Sequence, residues 1–197
     1  MQIDLEQPGD VDLYELVTHV VMPRPIAWVS SLGPGELVNL APFSYFGVVS
    51  DDPIVLMLSI GRRRGEHKDT ARNLLTQGEA VIHMVEAALL EPMLQSSKEL
   101  PPSESEIDYV GLLTVPSTRV CPPRLERASV ALECRLDRHI ELGPEATDLF
   151  LLRAVYAHMK DAALIDGMPD PQRLGVGGKL GGNDYAITDR IRTLKRR

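Results

Sequence analysis

Between Gly61 and Asn73 the chain reads Gly-Arg-Arg-Arg-Gly-Glu-His-Lys-Asp-Thr-Ala-Arg-Asn, gathering Arg62, Arg63, Arg64, Lys68 and the hydroxyl of Thr70. An apolar run, Ile54 to Ile60, precedes the arginines, and Ala71, Leu74 and Leu75 follow at helical spacing. Asp69 or Thr70 can cap the start of that helix, and Gly78 stands where a left-handed C′ residue belongs. A helix opens with unpaired amide N–H groups and the positive end of its dipole. With Lys68 and the arginines just upstream, this one is a natural seat for a phosphate. The same residues equally describe a capped surface helix with solvated cations, and the segment alone leaves both readings open.

A second segment reads Pro23-Arg24-Pro25-Ile26-Ala27-Trp28-Val29-Ser30-Ser31, followed by Asn39-Leu40-Ala41-Pro42-Phe43-Ser44-Tyr45-Phe46. Hydroxyls, an amide and prolines interrupt what are otherwise core strands, a violation of sheet preference that functional sites tolerate. Such groups on strands can hold a flat heterocycle by its edges. Turn chemistry and edge strands account for the same residues without a ligand. Other chemistries find no support. His19, His67, His83, His139 and His158 show no metal-ligand spacing, and neither HExxH nor Cys-x-x-Cys occurs. Gly177-Gly178-Lys179-Leu180-Gly181-Gly182 lacks P-loop spacing, and no GxGxxG is present. Cys134 falls on the apolar side of a strand, and Cys121 lies beside Pro122-Pro123 with nothing to make it a nucleophile.

These segments need a scaffold. Ile26–Ser31 and Glu36–Asn39 flank the turn signal Leu32-Gly33-Pro34-Gly35, and Phe43–Val49 and Ile54–Ile60 flank Asp51-Asp52-Pro53. Four strands so closely spaced predict an antiparallel meander or barrel, because a parallel sheet needs crossover helices. A helix over His67–Gln77, a strand over Ala80–Val85 and a helix over Ala87–Ser96 follow, the last with Pro92 in its first turn or at a break. Ser97–Asp108, with Pro101-Pro102, reads as an exposed loop. Val130, Leu132, Cys134, Leu136, Ile140 and Leu142 alternate with polar residues, predicting one long half-buried strand of the kind that curls around a barrel. Leu149–Met159 is apolar on both faces and fits a partner strand with one face at an interface.

Composition bounds the rest. The 197 residues suit one domain, and 21 basic against 28 acidic residues give a net charge of −7, the wrong sign for general nucleic-acid affinity. No apolar run is long enough to span a bilayer, and the acidic start is unlike a signal peptide. Two cysteines make no disulfide framework, so the expectation is a cytoplasmic globular protein. The basic run Arg190–Arg197, within a tail over 188–197, reads as a solvated end.

Taken in order, Pro23–Ser30, Asn39–Phe46, Lys68-Asp69-Thr70 with Asn73, Pro122-Pro123-Arg124, Ala131–Cys134 and Gly181–Tyr185 resemble the flavin reductase-like family, built on the FMN-binding split barrel. The likeness runs from about Val20 to Tyr185. It implies a mainly β fold, a six-stranded antiparallel Greek-key-type barrel with flanking helices in a single domain. It also implies a homodimer that binds FMN near the subunit interface and uses NAD(P)H as co-substrate in flavin reduction. By resemblance, Arg24, Trp28, Val29, Ser30, Asn39, Ala41, Pro42, Phe43 and Ser44 belong to the flavin site, lining the isoalloxazine ring and ribityl chain. Lys68 and Thr70, helped by Arg63 and with Asn73 beside them, hold the phosphate. The cofactor carries the redox chemistry, so no catalytic side chain is implied. One departure bears on the electron donor. Many relatives carry Gly-Asp-His before the strand matching Leu149–Val155, with the histidine tied to nicotinamide use, whereas this chain reads Gly143-Pro144-Glu145-Ala146-Thr147-Asp148. The alternatives are a flavoprotein without NAD(P)H turnover, or one acting on another small molecule. His83 stands where the family commonly has asparagine and reads as a satisfied core histidine.

Overall fold

The computed structural model describes residues 2–101, 103–143 and 147–194. Its framework is a seven-stranded sheet, antiparallel at every pairing. The strands are β1 (Ala27–Leu32), β2 (Val38–Phe43), β3 (Phe46–Asp51), β4 (Ile54–Gly61), β5 (Glu79–Met84), β6 (Val130–Leu142) and β7 (Thr147–Met159). The helices that matter here are α1 (Leu13–Val20), α2 (Asp69–Gln77), α3 (Leu90–Gln95) and α4 (Glu106–Tyr109).

The lateral order is β2-β1-β5-β6-β7-β4-β3. The turn signals do make two hairpins, β1–β2 and β3–β4, but these lie at opposite edges, so the first four strands are not a meander. The sheet also has seven strands where the resemblance implied six. Its two edge strands, β2 and β3, are separated in the chain only by Ser44 and Tyr45. Three Cα steps span at most about 11 Å, whereas the edges of a flat seven-stranded sheet stand about 29 Å apart. The sheet therefore curls, bringing the end of β2 beside the start of β3. No ladder joins β2 to β3 among the described residues, which leaves the barrel split along that seam.

Both faces of β1 are buried, so its apolar residues run without a solvent side. Ala27 and Val29 join Phe46, Leu56, Leu58, Ile60, Phe150 and Leu152 in one core, into which α2 inserts Ala71 and Leu74. Ile26 and Trp28 join Leu40, Val85, Leu89, Met93 and Leu125 in a second core under the segment that runs from α3 to residue 128. Leu75, expected on the same helical face as Leu74, is instead 40% exposed. A 3-10 turn over Ala87–Leu89 breaks the second predicted helix, so α3 starts at Leu90 and Pro92 falls in its first turn, where no amide is required. In the long β6–β7 hairpin the alternation fails at Glu133, which is fully buried. The Thr118 and Arg119 amides and the His158 ring satisfy that carboxylate, at 2.6, 2.5 and 2.6 Å. No helix of the described residues is long and apolar enough to cross a membrane.

Candidate functional site

A cleft of about 440 Å³ lies where the end of β2 faces the start of α2, and its size falls within the about 300–1,000 Å³ of small-molecule sites. Asn39, Ala41, Pro42 and Phe43 line one side. Arg63, Arg64, Glu66, His67, Lys68, Asp69, Thr70 and Arg72 line the other. Residues 96–100 and Glu106 complete the wall. Two segments far apart in sequence are thus joined, and the link is direct, since Asn39 Nδ2 donates to Thr70 Oγ1 at 2.9 Å. Ser31 Oγ accepts from Asn39 at 3.3 Å and from Asn73 at 3.0 Å, which carries the network down into the core.

The N-cap of α2 is Lys68, not Asp69 or Thr70, and it offers no side-chain acceptor to the first turn. Asp69 pairs outward with Arg72 within the helix. The opening amides therefore remain available at the cleft, with Gly78 closing the helix in the left-handed conformation at φ 69°. Lys68 is partly buried and belongs to none of the ion pairs among the described residues. Burial, and then the charge of Arg63, hold its pKa below the usual lysine value. Arg63 meets Glu99 at 2.5 Å, and both side chains are largely exposed. Such a pair is worth about 0–1 kcal/mol, so a dianion can displace Glu99 at little cost. A cation short of counter-charge beside open amides is a donor set that fits a phosphate.

Arg24, Trp28, Val29, Ser30, Ser44 and Asn73 do not line this cleft. Arg24 donates to Thr18 O and Val21 O at 2.6 Å, to Leu180 O at 2.9 Å and to Ser44 Oγ at 3.5 Å. It thereby serves the C-terminal carbonyls of α1 as a buried cation, and with Ser44 and Lys179 it lines a separate cleft of about 300 Å³. Val29 lies in the barrel core, Ser30 donates to Pro123 O at 2.6 Å, and both are fully buried. Asn73 lines a smaller hollow of about 250 Å³ that shares Asn39, Asp69, Arg72, Leu100 and Glu106 with the main cleft. Trp28, fully buried, donates its indole N–H to Ser96 Oγ at 2.9 Å and so anchors the start of the 96–100 wall. Glu106 ties the far end down by accepting from the Leu40 amide at 2.9 Å. This wall lies in what reads from composition as an exposed loop, and neither residue spacing nor charge signals its role.

Residues 144–146 of the stretch that lacks Gly-Asp-His lie outside the described residues, but Asp148 is fully buried at the start of β7. Arg62 reaches it through Nε at 3.2 Å and Nη2 at 3.0 Å, His67 through Nδ1 at 2.8 Å and His139 through Nε2 at 2.9 Å. One carboxylate thus fixes both ends of the 62–67 loop that carries the cleft cations. No group of three His, Cys, Asp or Glu able to hold a metal occurs among the described residues. His83 is fully buried, its Nδ1 on Trp28 O and its Nε2 accepting from the Leu125 amide, both at 2.9 Å. These bonds define a neutral core imidazole.

Comparison with known proteins bears on the family and the fold. Residues 19–168 match the family described as flavin reductase like domain. An uncharacterized protein of Bacillus subtilis strain 168, YwrF, is 40% identical over 188 residues, covering 92% of this chain and 91% of its own. Nitrilotriacetate monooxygenase component B from Bacillus cereus superimposes with a TM-score of 0.94 at 32% identity, covering 98% of each chain. A split-barrel protein from Shewanella frigidimarina, assigned as a flavin reductase, superimposes with a TM-score of 0.86 at 19% identity, covering all of both chains.

Proposed function

Because the chain belongs to the flavin reductase-like family and has its split-barrel fold, we propose that it is an FMN-dependent oxidoreductase whose electron donor is NAD(P)H. The observation that carries this reading is the convergence of Asn39, Ala41, Pro42, Phe43, Arg63, Lys68 and Thr70 on one cleft. FMN, when bound, supplies the two-electron redox chemistry. Lys68, the Thr70 hydroxyl and the open amides of α2 take the phosphate, with Arg63 turning from Glu99 toward it. Asn39 and the Ala41–Phe43 edge, where proline leaves no amide donor, receive the ring and ribityl chain. Ser96–Leu100 and Glu106 wall the cleft against water. Asp148 keeps the cationic loop in register, so little is spent on ordering it when the ligand arrives.

The protein is proposed to act as a homodimer. Val48 and Val49 of the edge strand β3 and Ile54, which opens the neighbouring β4, are 75%, 54% and 50% exposed, an apolar surface at the sheet edge of the kind that partners cover. The test of the phosphate end is a pair of titrations, FMN against riboflavin, on the wild type and the Lys68→Ala/Thr70→Ala double variant. Loss of two charge-assisted contacts predicts at least about a hundredfold weaker FMN binding, with riboflavin changed far less. Equal losses for both flavins would place the phosphate elsewhere.

A further inference from the structure

A second charged cleft, of about 330 Å³, lies between the Arg124–Leu125 strand and the end of β7 and shares no residue with the flavin cleft. Its polar lining is Arg124, Ser129, Tyr156, His158 and Lys160, and no aspartate or glutamate lines it. We propose that this cleft binds the anionic head of a small molecule, a carboxylate or a phosphate group. Arg124 Nε is the one buried side-chain polar atom without a hydrogen-bond partner among the described residues. A buried, charged donor left without an acceptor is costly to keep. An anion in the cleft would meet Arg124 through the outer nitrogens of its guanidinium, which are not among the buried atoms and make no hydrogen bond among the described residues, and would thereby offset the charge of the fork.

The surrounding groups are held in place by the fold rather than by one another. The backbone on either side of Arg124 is fixed by Ser30 Oγ on Pro123 O at 2.6 Å and by the Leu125 amide on His83 Nε2 at 2.9 Å. His158 is oriented by Glu133 at 2.6 Å, whose carboxylate is further occupied by the Thr118 and Arg119 amides. Lys160 Nζ rests on Arg127 O at 2.9 Å. Glu86, the other carboxylate nearby, accepts from the Ser129 amide at 2.5 Å. Neither Arg124 nor Lys160 takes part in the ion pairs among the described residues. Two cations outside any ion pair and an oriented imidazole, without a carboxylate in the lining, form a receptor suited to an oxyanion. Arginine suits it because its planar fork takes two oxygens at once.

The experiment follows the Arg124 Nε–H resonance, and those of His158, while inorganic phosphate or acetate is added at constant ionic strength against chloride. The Arg124 signal is expected to shift saturably with phosphate and not with chloride. Response to phosphate alone identifies a phosphate-bearing ligand, and response to both anions identifies a carboxylate as an acceptable head. Lys160→Gln should weaken the response by about tenfold. Arg124→Lys, which keeps the charge but not the fork, should abolish the response read at His158. Lys68→Ala, in the other cleft, should leave it unchanged, so failure of the flavin reading would not touch this one. An Arg124 signal that stays still, that moves equally with chloride, or that loses its response in Lys68→Ala would overturn the proposal, as would an undiminished His158 response in Arg124→Lys.

Discussion

Burial alone would raise the pKa of Asp148, but the bonds from Arg62, His139 and His67 reverse that and bring it to about 2. A carboxylate held below its ordinary 3.8 stabilises the fold while it stays ionised. That contribution, on the order of 2 kcal/mol, is lost as pH falls from about 4 to about 2. His83 acts in an earlier window. Burial lowers its pKa to about 4, against the opposing bond to the Trp28 carbonyl. The unfolded chain binds a proton near the ordinary 6.5 that the fold refuses, so stability declines as pH drops from there toward about 4, by on the order of 3 kcal/mol. Urea unfolding across pH should therefore show two successive losses. His83→Asn should remove the upper one, and a profile that stays flat between these limits would contradict the assignment. Asp148→Asn should remove the lower loss and lower stability at neutral pH, because Arg62, His67 and His139 lose the carboxylate they share, while Arg62 keeps only Glu141 at 3.0 Å. Cys134, whose thiol burial pushes up to about 12, should resist alkylation in the native state.

At the scale of elements, the cleft depends on a wall anchored from outside it, by Trp28, which does not line the cleft. Ser96→Ala would strip the acceptor from the buried Trp28 indole, a loss of about 1–3 kcal/mol, and free the 96–100 segment. Weaker FMN binding is expected to accompany the drop in stability, and unaltered FMN affinity would show that Trp28 does not act through the wall. How much of this was legible in the sequence depends on the range of the signal. The β1–β2 turn, the α2 start with its Gly78 stop, and the β6 alternation are local patterns, and each became an element close to its predicted bounds. The open α2 amides were legible too, although the cap residue was misjudged because Asp69 turns outward to Arg72. α1 left only the signature of Asp12 before Leu13, Leu16, Val17 and Val20, too short to stand out without knowing that Arg24 holds its end. Trp28, Ser30 and Arg24 have the polarity of ligand contacts, yet the structure spends that polarity on Ser96, Pro123 O and the α1 carbonyls. The first two bonds join positions 68 and 93 residues apart in sequence, and no local pattern encodes them. The burial of Glu133 escaped for the same reason.

Across the whole molecule, whose net charge is −7, the Arg62–Lys68 cluster is a local cationic exception suited to the phosphate of the proposed cofactor. The split seam at Ser44–Tyr45 brings the β2 edge, which lines the cleft, beside the start of β3, whose apolar surface is left uncovered. If that surface closes a dimer over the site, flavin retention should fall on dilution together with the sedimentation coefficient. Val48→Asp should shift both midpoints to higher protein concentration, whereas a flavin-loaded monomer at micromolar concentration would remove the dimer from the account. The central claim is that this chain holds FMN and that NAD(P)H reduces it. Its most direct test is the absorbance spectrum of the purified, desalted protein supplied with FMN, recorded without oxygen before and after adding NADH or NADPH. The account predicts a protein-bound flavin band that bleaches with one of the two nucleotides. A band that persists with both would contradict the donor, and no bound flavin at all would contradict the function itself.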